Sequence, residues 1–400
     1  MTMGTVRYIN GFSSNQQTLV NLKFDKFIGG FPMTGILFIH NTLMWYRVEF
    51  FKRIGRIYDL ELIFTHMQVI EDIYDGNADG NIESLDDVDV KILENSHGFA
   101  RGLISRLFSD YDVVVGGSWD TLQELIESLF ILSISKLRGK KFIIWREDWD
   151  WPKEDNLKRK VLDMFIKLLT KGADGILVPG SLHKKYFEKF TDKNKIHVMP
   201  NVSNISSNIK RINKDDNKEI LYVGRLIKRK GVIYLIKAFE LLVKEVNDAH
   251  LTIIGDGDQE EYLKSYVREN NVENVIFCGK VDNRDLEKYY TKSNLVVVPS
   301  INYQMGDPWV FVLNEAMYYS NPLIVTDAVG AGRDMVKDNG FIVEERNVDQ
   351  LYEAILRIIT DYDLQKKMGE KSYEIIKEEY QYSNMVDSFV ECVDSVTHGK

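Results

Sequence analysis

Short apolar runs alternate with longer mixed stretches along most of the chain. Gly35 to His40 (GILFIH), Leu60 to Phe64, Tyr111 to Gly116, Lys141 to Trp145, Gly175 to Val178 and Lys195 to Met199 each read as a strand. The stretches at about 47–56, 119–137 and 155–171 carry helical spacing. A second series follows: strands near 219–223, 250–254, 275–278, 295–298, 323–326 and 341–343, with helices between them and a helical tail over 363–397. Strands this uniformly apolar belong to parallel sheets covered on both faces, and strand–helix alternation predicts two doubly wound α/β units. Between the series, 201–218 is rich in Asn, Ser and Lys and reads as a linker. Residues 1–33 lack a clear period and read as an extra strand or hairpin, and the acidic stretch 71–94 as a loop with one short strand.

Two segments carry candidate chemistry. In GDPWVFVLNEAMYYSNPLIVTD (306–327), Asp307 reads as an N-cap, Pro308 as the first helical residue, and Trp309 to Met317 as a buried helix. Eight helical steps would set Glu315 about 12 Å from Asp307, with a helix N-terminus between them as an anion seat. Such spacing suits a donor with hydroxyls at both ends and a diphosphate between; a capped core helix with one stray Glu is an equal reading. Upstream, Glu219-Ile-Leu-Tyr-Val-Gly224 reads as a buried strand that turns through the basic loop Arg225-Leu-Ile-Lys-Arg-Lys230-Gly231 into the helical stretch 232–246. An open α/β sheet places its ligand at such a strand end.

The runs YVGRLIKRKG, LTIIGDGDQEEYL, FCGKVDNRDLEKYYTKSNLVVVPS, DPWVFVLNEAM and VTDAVGAGRDMV, across roughly 219–345, resemble in order and spacing the donor domain of a family 4 (group 1) retaining glycosyltransferase. Segments 111–119 and 174–201 resemble that family too; the first 34 residues do not. The resemblance implies the GT-B fold, two Rossmann-like domains facing across a cleft. It divides the chain into an acceptor domain at 1–200 (core 34–200), the linker 201–218, a nucleotide-sugar donor domain at 219–378, and a helix at 379–400 that crosses back. It implies that Arg225 and Lys230, at the end of Gly224, grip the donor diphosphate without a metal. Glu315 would hold the ribose and Asp307, in place of the usual Glu, the sugar. Pro308, Trp309 and Val310 would shape the sugar pocket, and the Gly279-Lys280-Val281 turn would read the base. No cofactor is implied beyond the nucleotide diphosphate sugar as co-substrate.

On the acceptor side, Asn41, Tyr46 and Arg47 follow the first strand and Ser118 and Trp119 a later one, so strand-end position makes each a site candidate or a plain helix entry. Glu147 stands closest to where the family commonly keeps a His, as a polar group beside the reaction centre or a salt-bridged carboxylate. Asp148-Trp-Asp150 and Asp256-Gly-Asp258 look like metal pairs, yet two carboxylates alone make a weak hard-cation site.

Charge narrows the partners. Residues 1–200 carry 26 Lys and Arg against 27 Asp and Glu, and 201–400 carry 25 against 33, so neither half has the basic excess of a nucleic-acid binder. The runs Arg138–Lys141 and Lys158–Lys160 leave contact with an anionic membrane surface open beside a plain solvated face. With two cysteines, no apolar run of spanning length and no signal-peptide pattern, the chain reads as a cytoplasmic enzyme, working free or at the cytoplasmic face of a membrane. The favoured activity is hexose transfer to a glycan or lipid-linked acceptor; transfer to a free or phosphorylated sugar, or a silent nucleotide-sugar-binding scaffold, stays open.

Overall fold

The computed structural model of the chain describes residues 7–8, 27–28, 31–65, 78–85, 88–96, 99–150, 157–203, 205, 212 and 214–399. Two sheets carry the fold, and every strand pair within each is parallel. The first contains β1 (Arg7–Tyr8), β2 (Gly35–His40), β3 (Asp59–Phe64), β4 (Asp89–Ile92), β5 (Val113–Gly116), β6 (Lys141–Trp145), β7 (Gly175–Val178) and β8 (Ile196–Val198). Their order is β1-β4-β3-β2-β5-β6-β7-β8. The second contains β9 (Glu219–Val223), β10 (His250–Ile254), β11 (Val275–Gly279), β12 (Leu295–Val298), β13 (Leu323–Thr326) and β14 (Gly340–Val343), ordered β11-β10-β9-β12-β13-β14. This is the two-domain Rossmann-like α/β architecture that the sequence predicts.

Both sheets reverse direction at one place. The chain winds outward from β2, or from β9, then returns to the other side of that strand at β5, or at β12. Loops leaving the C-terminal ends of the two strands at such a switch diverge to opposite faces, and a crevice opens between them. Two crevices are therefore built into the topology.

Helices cover both faces of each sheet. On the first sheet, α1 (Val48–Gly55) packs Phe50 and Phe51 against Phe38 of β2, the Phe38–Phe51 ring centroids 5.0 Å apart and nearly perpendicular. The opposite face is covered by α2 (Leu122–Leu137) and α3 (Leu157–Gly172). In the second unit, α4 (Val232–Glu245) lies on one face and α5 (Phe311–Tyr318) on the other. Late in the chain, α6 (Tyr382–Asp394) returns to the first unit, where Phe389 is buried against Phe38 and Phe50 and the Tyr382 hydroxyl donates to the Tyr46 carbonyl at 2.7 Å. Burying a ring of that size contributes about 1.5–3 kcal/mol to holding α6 on the first unit.

Three local expectations fail or fall short. The acidic stretch holds a helix at Ala78–Glu83 as well as β4. An antiparallel pair, Asn95–Ser96 with Phe99–Ala100, was not expected at all. The helix expected from Trp309 begins at Phe311, its N-cap is Val310, and Asp307 caps nothing. Of residues 1–33, β1 adds to the sheet edge beside β4, and Phe27–Ile28 pairs with Phe31–Pro32. The rest of that stretch, 71–77 and most of the linker lie outside the described residues.

Candidate functional site

At the second switch point, the loop after β9 and the loop after β12 are pressed together. Gly231 makes this possible: its φ of 65° is left-handed, and a Cβ there would lie 2.0 Å from the Pro299 carbonyl oxygen. The Arg229 carbonyl accepts from the Ile301 amide at 2.8 Å across the same junction. The contact delivers two cations to one carboxylate. Arg229 Nη1 lies 2.7 Å from Asp307 Oδ1 and Lys230 Nζ 2.6 Å from Oδ2, while the Ser300 hydroxyl donates to Oδ2 at 2.7 Å. Asp307 is only 3% exposed. Burial works to raise its carboxyl, but Lys230 and then Arg229 outweigh burial and hold it below the usual carboxylate range.

These bonds explain why Asp307 is not a helix cap. A cap stabilises by about 1 kcal/mol, whereas a buried carboxylate stripped of its cations costs about 3–5 kcal/mol. The charge pairs win, and the chain runs extended through Val310. Asp307 instead bridges to Val329. The helical rise therefore no longer sets the spacing between Asp307 and Glu315.

The other expected donor residues divide. Gly224 follows β9 with a φ of 154°, and the Gly255 Cβ position lies 1.9 Å from its carbonyl oxygen, so the loops after β9 and β10 also touch. Arg225 is exposed; its carbonyl accepts from the Tyr222 hydroxyl at 2.9 Å, while its guanidinium makes no hydrogen bond or ion pair with the described residues. Glu315, half-buried on α5, accepts from the Tyr290 hydroxyl through Oε2 at 2.6 Å; Oε1 has no partner among the described residues. Burial pushes the Glu315 carboxyl up to about 7, against the lowering effect of that hydroxyl. Beyond β11, Gly279 turns with a φ of 66°, Lys280 is exposed, and Val281 packs toward the core. Trp309 and Val310 are both buried and do not line the cleft, Trp309 donating its indole N–H to Asn314 at 3.2 Å. The apolar side chains of Trp309 and Val310 are spent on packing, so any effect on a sugar is through the backbone and shape they support. Pro308 does face the cleft.

The first switch point faces this wall. A cleft of about 480 Å³ is lined by Asn41, Tyr46, Arg47, Ser118 and Glu147 from the first unit, and by Met305, Gly306 and Pro308 from the second. Arg47 is buried, its guanidinium 4.3 Å over the Trp145 ring and 3.1 Å from Glu147 Oε1. Asn201 donates to the same oxygen at 2.7 Å. Glu147 is thus salt-bridged, with its side chain still 36% exposed toward the cleft. Tyr46 stacks on Phe311 across the units, ring centroids 4.1 Å apart. Trp119 is corrected: it is buried against Phe187 beneath the cleft wall, donating to Asp148 at 3.3 Å.

Sequence reasoning missed four groups here. Arg229 sat unremarked inside the basic run. Tyr290 left no signal. His40, at the C-terminal end of the switch strand β2, lines the cleft; burial and then the Arg47 cation lower its pKa to about 3, so it is neutral. Its strand-end position was the available clue. Arg146 also lines the cleft, donating to Ser118, Asp120 and Asp148; burial opposes its charge but the two aspartates keep it firmly protonated. Asp148 faces Arg146 and Asp150 faces Lys189, each spoken for by a cation.

Residues 204–375 match the sequence model of the family described as glycosyl transferases group 1. An uncharacterized glycosyltransferase of Haemophilus influenzae is 27% identical over 72% of this chain and 77% of its own length. A poly(glycerol-phosphate) alpha-glucosyltransferase of Bacillus subtilis is 29% identical over 42% of this chain, which spans only 24% of that relative. Among solved structures, Anabaena HepE in complex with UDP superposes with a TM-score of 0.69 at 16% identity, covering 90% of this chain and 100% of HepE. Over residues 204–375 the chain is thus similar to group 1 glycosyltransferases, and over 90% of its length it shares the fold of HepE.

Proposed function

We propose that the chain is a retaining, metal-independent hexosyltransferase that uses a nucleotide diphosphate sugar and a glycan or lipid-linked acceptor. One observation carries the reading: the cleft at the first switch point, with the half-exposed Glu147 on its wall, is closed from the second unit by Met305, Gly306 and Pro308, which flank Asp307 and the cations Arg229 and Lys230 that pair with it. Departure of a nucleoside diphosphate develops negative charge on the leaving phosphate. Lys230 and Arg229, fixed by Asp307, and the exposed Arg225 answer that charge in place without a divalent ion. Amides at the start of α5 lack intrahelical partners and add to the seat. Glu315, with Oε1 open, takes the ribose hydroxyls. Across the cleft, Glu147 stands over the acceptor hydroxyl, oriented by Arg47 and Asn201, with Asn41 and Ser118 on the same wall.

The likeness to HepE with bound UDP supports the donor class, and the retained anomeric configuration is what the resemblance of the donor-domain motifs implies. Turnover measured in excess EDTA should equal turnover without it, and the product anomer, read by NMR, should match the donor. Loss of activity restored by magnesium or manganese, or an inverted product, contradicts the respective part of the reading.

A further inference from the structure

The helical face of the first unit that points away from the sheet is apolar where water should make it polar. On α3, Leu157, Val161, Met164 and Leu168 are all exposed, Leu157 by 78%. Their spacing of four, three and four residues stacks them into one stripe along the helix. Its neighbour α2 exposes Leu122, Phe130 and Leu137 at spacings of eight and seven residues, Leu137 by 87%. The two helices pack side by side on the same face of the first sheet, close enough that a Cβ on Gly172 would lie 2.8 Å from Leu132. Scattered surface leucines are ordinary, but seven exposed apolar side chains on two helices packed side by side call for a covering surface.

Charge decides what the patch fits. Lys160, Lys167 and Lys171 are exposed on α3 along one flank of its stripe. Lys167 and Lys171 have no acidic partner among the described residues. Asp163 on α3 is engaged by Arg159 at 2.8 Å. An apolar stripe edged by lysines is the pattern of a helix lying in a lipid headgroup layer. A second copy of the chain is the poorer occupant, because the same face would oppose lysines to lysines with no acid to meet them.

We infer that the α2–α3 face docks on an anionic bilayer surface, its apolar side chains entering the headgroup boundary and its lysines meeting lipid phosphates. The inner side of α2 lends Glu124, Glu127 and Ser128 to the cleft, so docking sets the cleft beside the bilayer. The inference rests on the surface alone and does not need the transferase reading.

Flotation with vesicles tests it without any turnover measurement. The intact chain should float with phosphatidylcholine vesicles containing phosphatidylglycerol and stay behind with phosphatidylcholine alone. Lys167→Glu with Lys171→Glu should weaken binding by at least about twentyfold, since each lysine near such a surface is worth about fivefold. Met164→Glu with Leu168→Glu should abolish flotation. All four side chains are exposed, so thermal unfolding should be unchanged, and either double variant suffices if the other fails to fold. Wild-type protein that does not float, that floats equally with phosphatidylcholine alone, or that floats undiminished after Met164→Glu and Leu168→Glu overturns the inference. So does a dimer in light scattering that this variant dissolves, which would assign the face to self-association.

Discussion

Lys230 is the residue whose role is easiest to isolate. Its ammonium is positioned by Asp307, so little reorganisation is needed when the leaving phosphate gains charge. Lys230→Ala should lower kcat by about a hundredfold or more, a barrier rise near 3 kcal/mol, while donor KM rises less because Arg225, Arg229 and the α5 amides remain. A folded variant turning over at the wild-type rate would make Lys230 a mere partner of Asp307. Glu315 supplies a pH signature. Its folded pKa of about 7 stands above the ordinary 4.5, so the folded state binds more protons between those values. Its contribution to stability is therefore full below about pH 4.5 and lost as pH rises through about 7. Glu315→Gln mimics the protonated form at every pH, so its Tm should climb relative to wild type across that window. Donor binding should weaken by about 1–3 kcal/mol. A Tm difference flat in pH contradicts a buried, raised carboxyl. His40 has the opposite sign: its pKa falls to about 3 from 6.5, so its contribution is present above pH 6.5 and is lost as pH falls through about 3.

At the scale of elements, the site depends on two loops touching. Gly231→Ala would place a methyl carbon in the Pro299 carbonyl and force an L side chain into left-handed backbone. It should cost at least about 2 kcal/mol in urea unfolding and lower donor affinity as well, because the same contact brings Lys230 to Asp307. An alanine variant with unchanged stability would mean that the loops can part freely. The strands were the most legible elements, since parallel strands buried on both faces are apolar without interruption, as VVVG at 113–116 and LVVV at 295–298 are. Helix Ala78–Glu83 was illegible because ADGNIE has no apolar period. The start of α5 was misread for a different reason. Asp-Pro is a sound local cap signal, and only a tertiary fact, the arrival of Arg229 and Lys230 from a strand about 80 residues upstream, overrides it. The same fact hides the role of Arg229. Trp119, Trp309 and Val310 show the converse: strand-end or motif position marked them as site residues, while burial made them packing.

Across the whole molecule, α6 and contacts such as Tyr46 on Phe311 join the two α/β units, so that the loop around Asp307 borders the cleft of the first switch point. The central claim is that this cleft binds a nucleotide diphosphate sugar and breaks the bond to the diphosphate. The most direct test is a panel of nucleotide sugars assayed on wild-type and Lys230→Ala protein, for thermal stabilisation and for nucleoside diphosphate released. Ligand at about a hundred times its Kd stabilises by about 2.7 kcal/mol, which a melting curve resolves readily. The account predicts that at least one nucleotide sugar raises the Tm of both proteins and is cleaved by the wild type, with release cut about a hundredfold by Lys230→Ala. A panel in which no nucleotide sugar shifts the Tm or releases its diphosphate would contradict it.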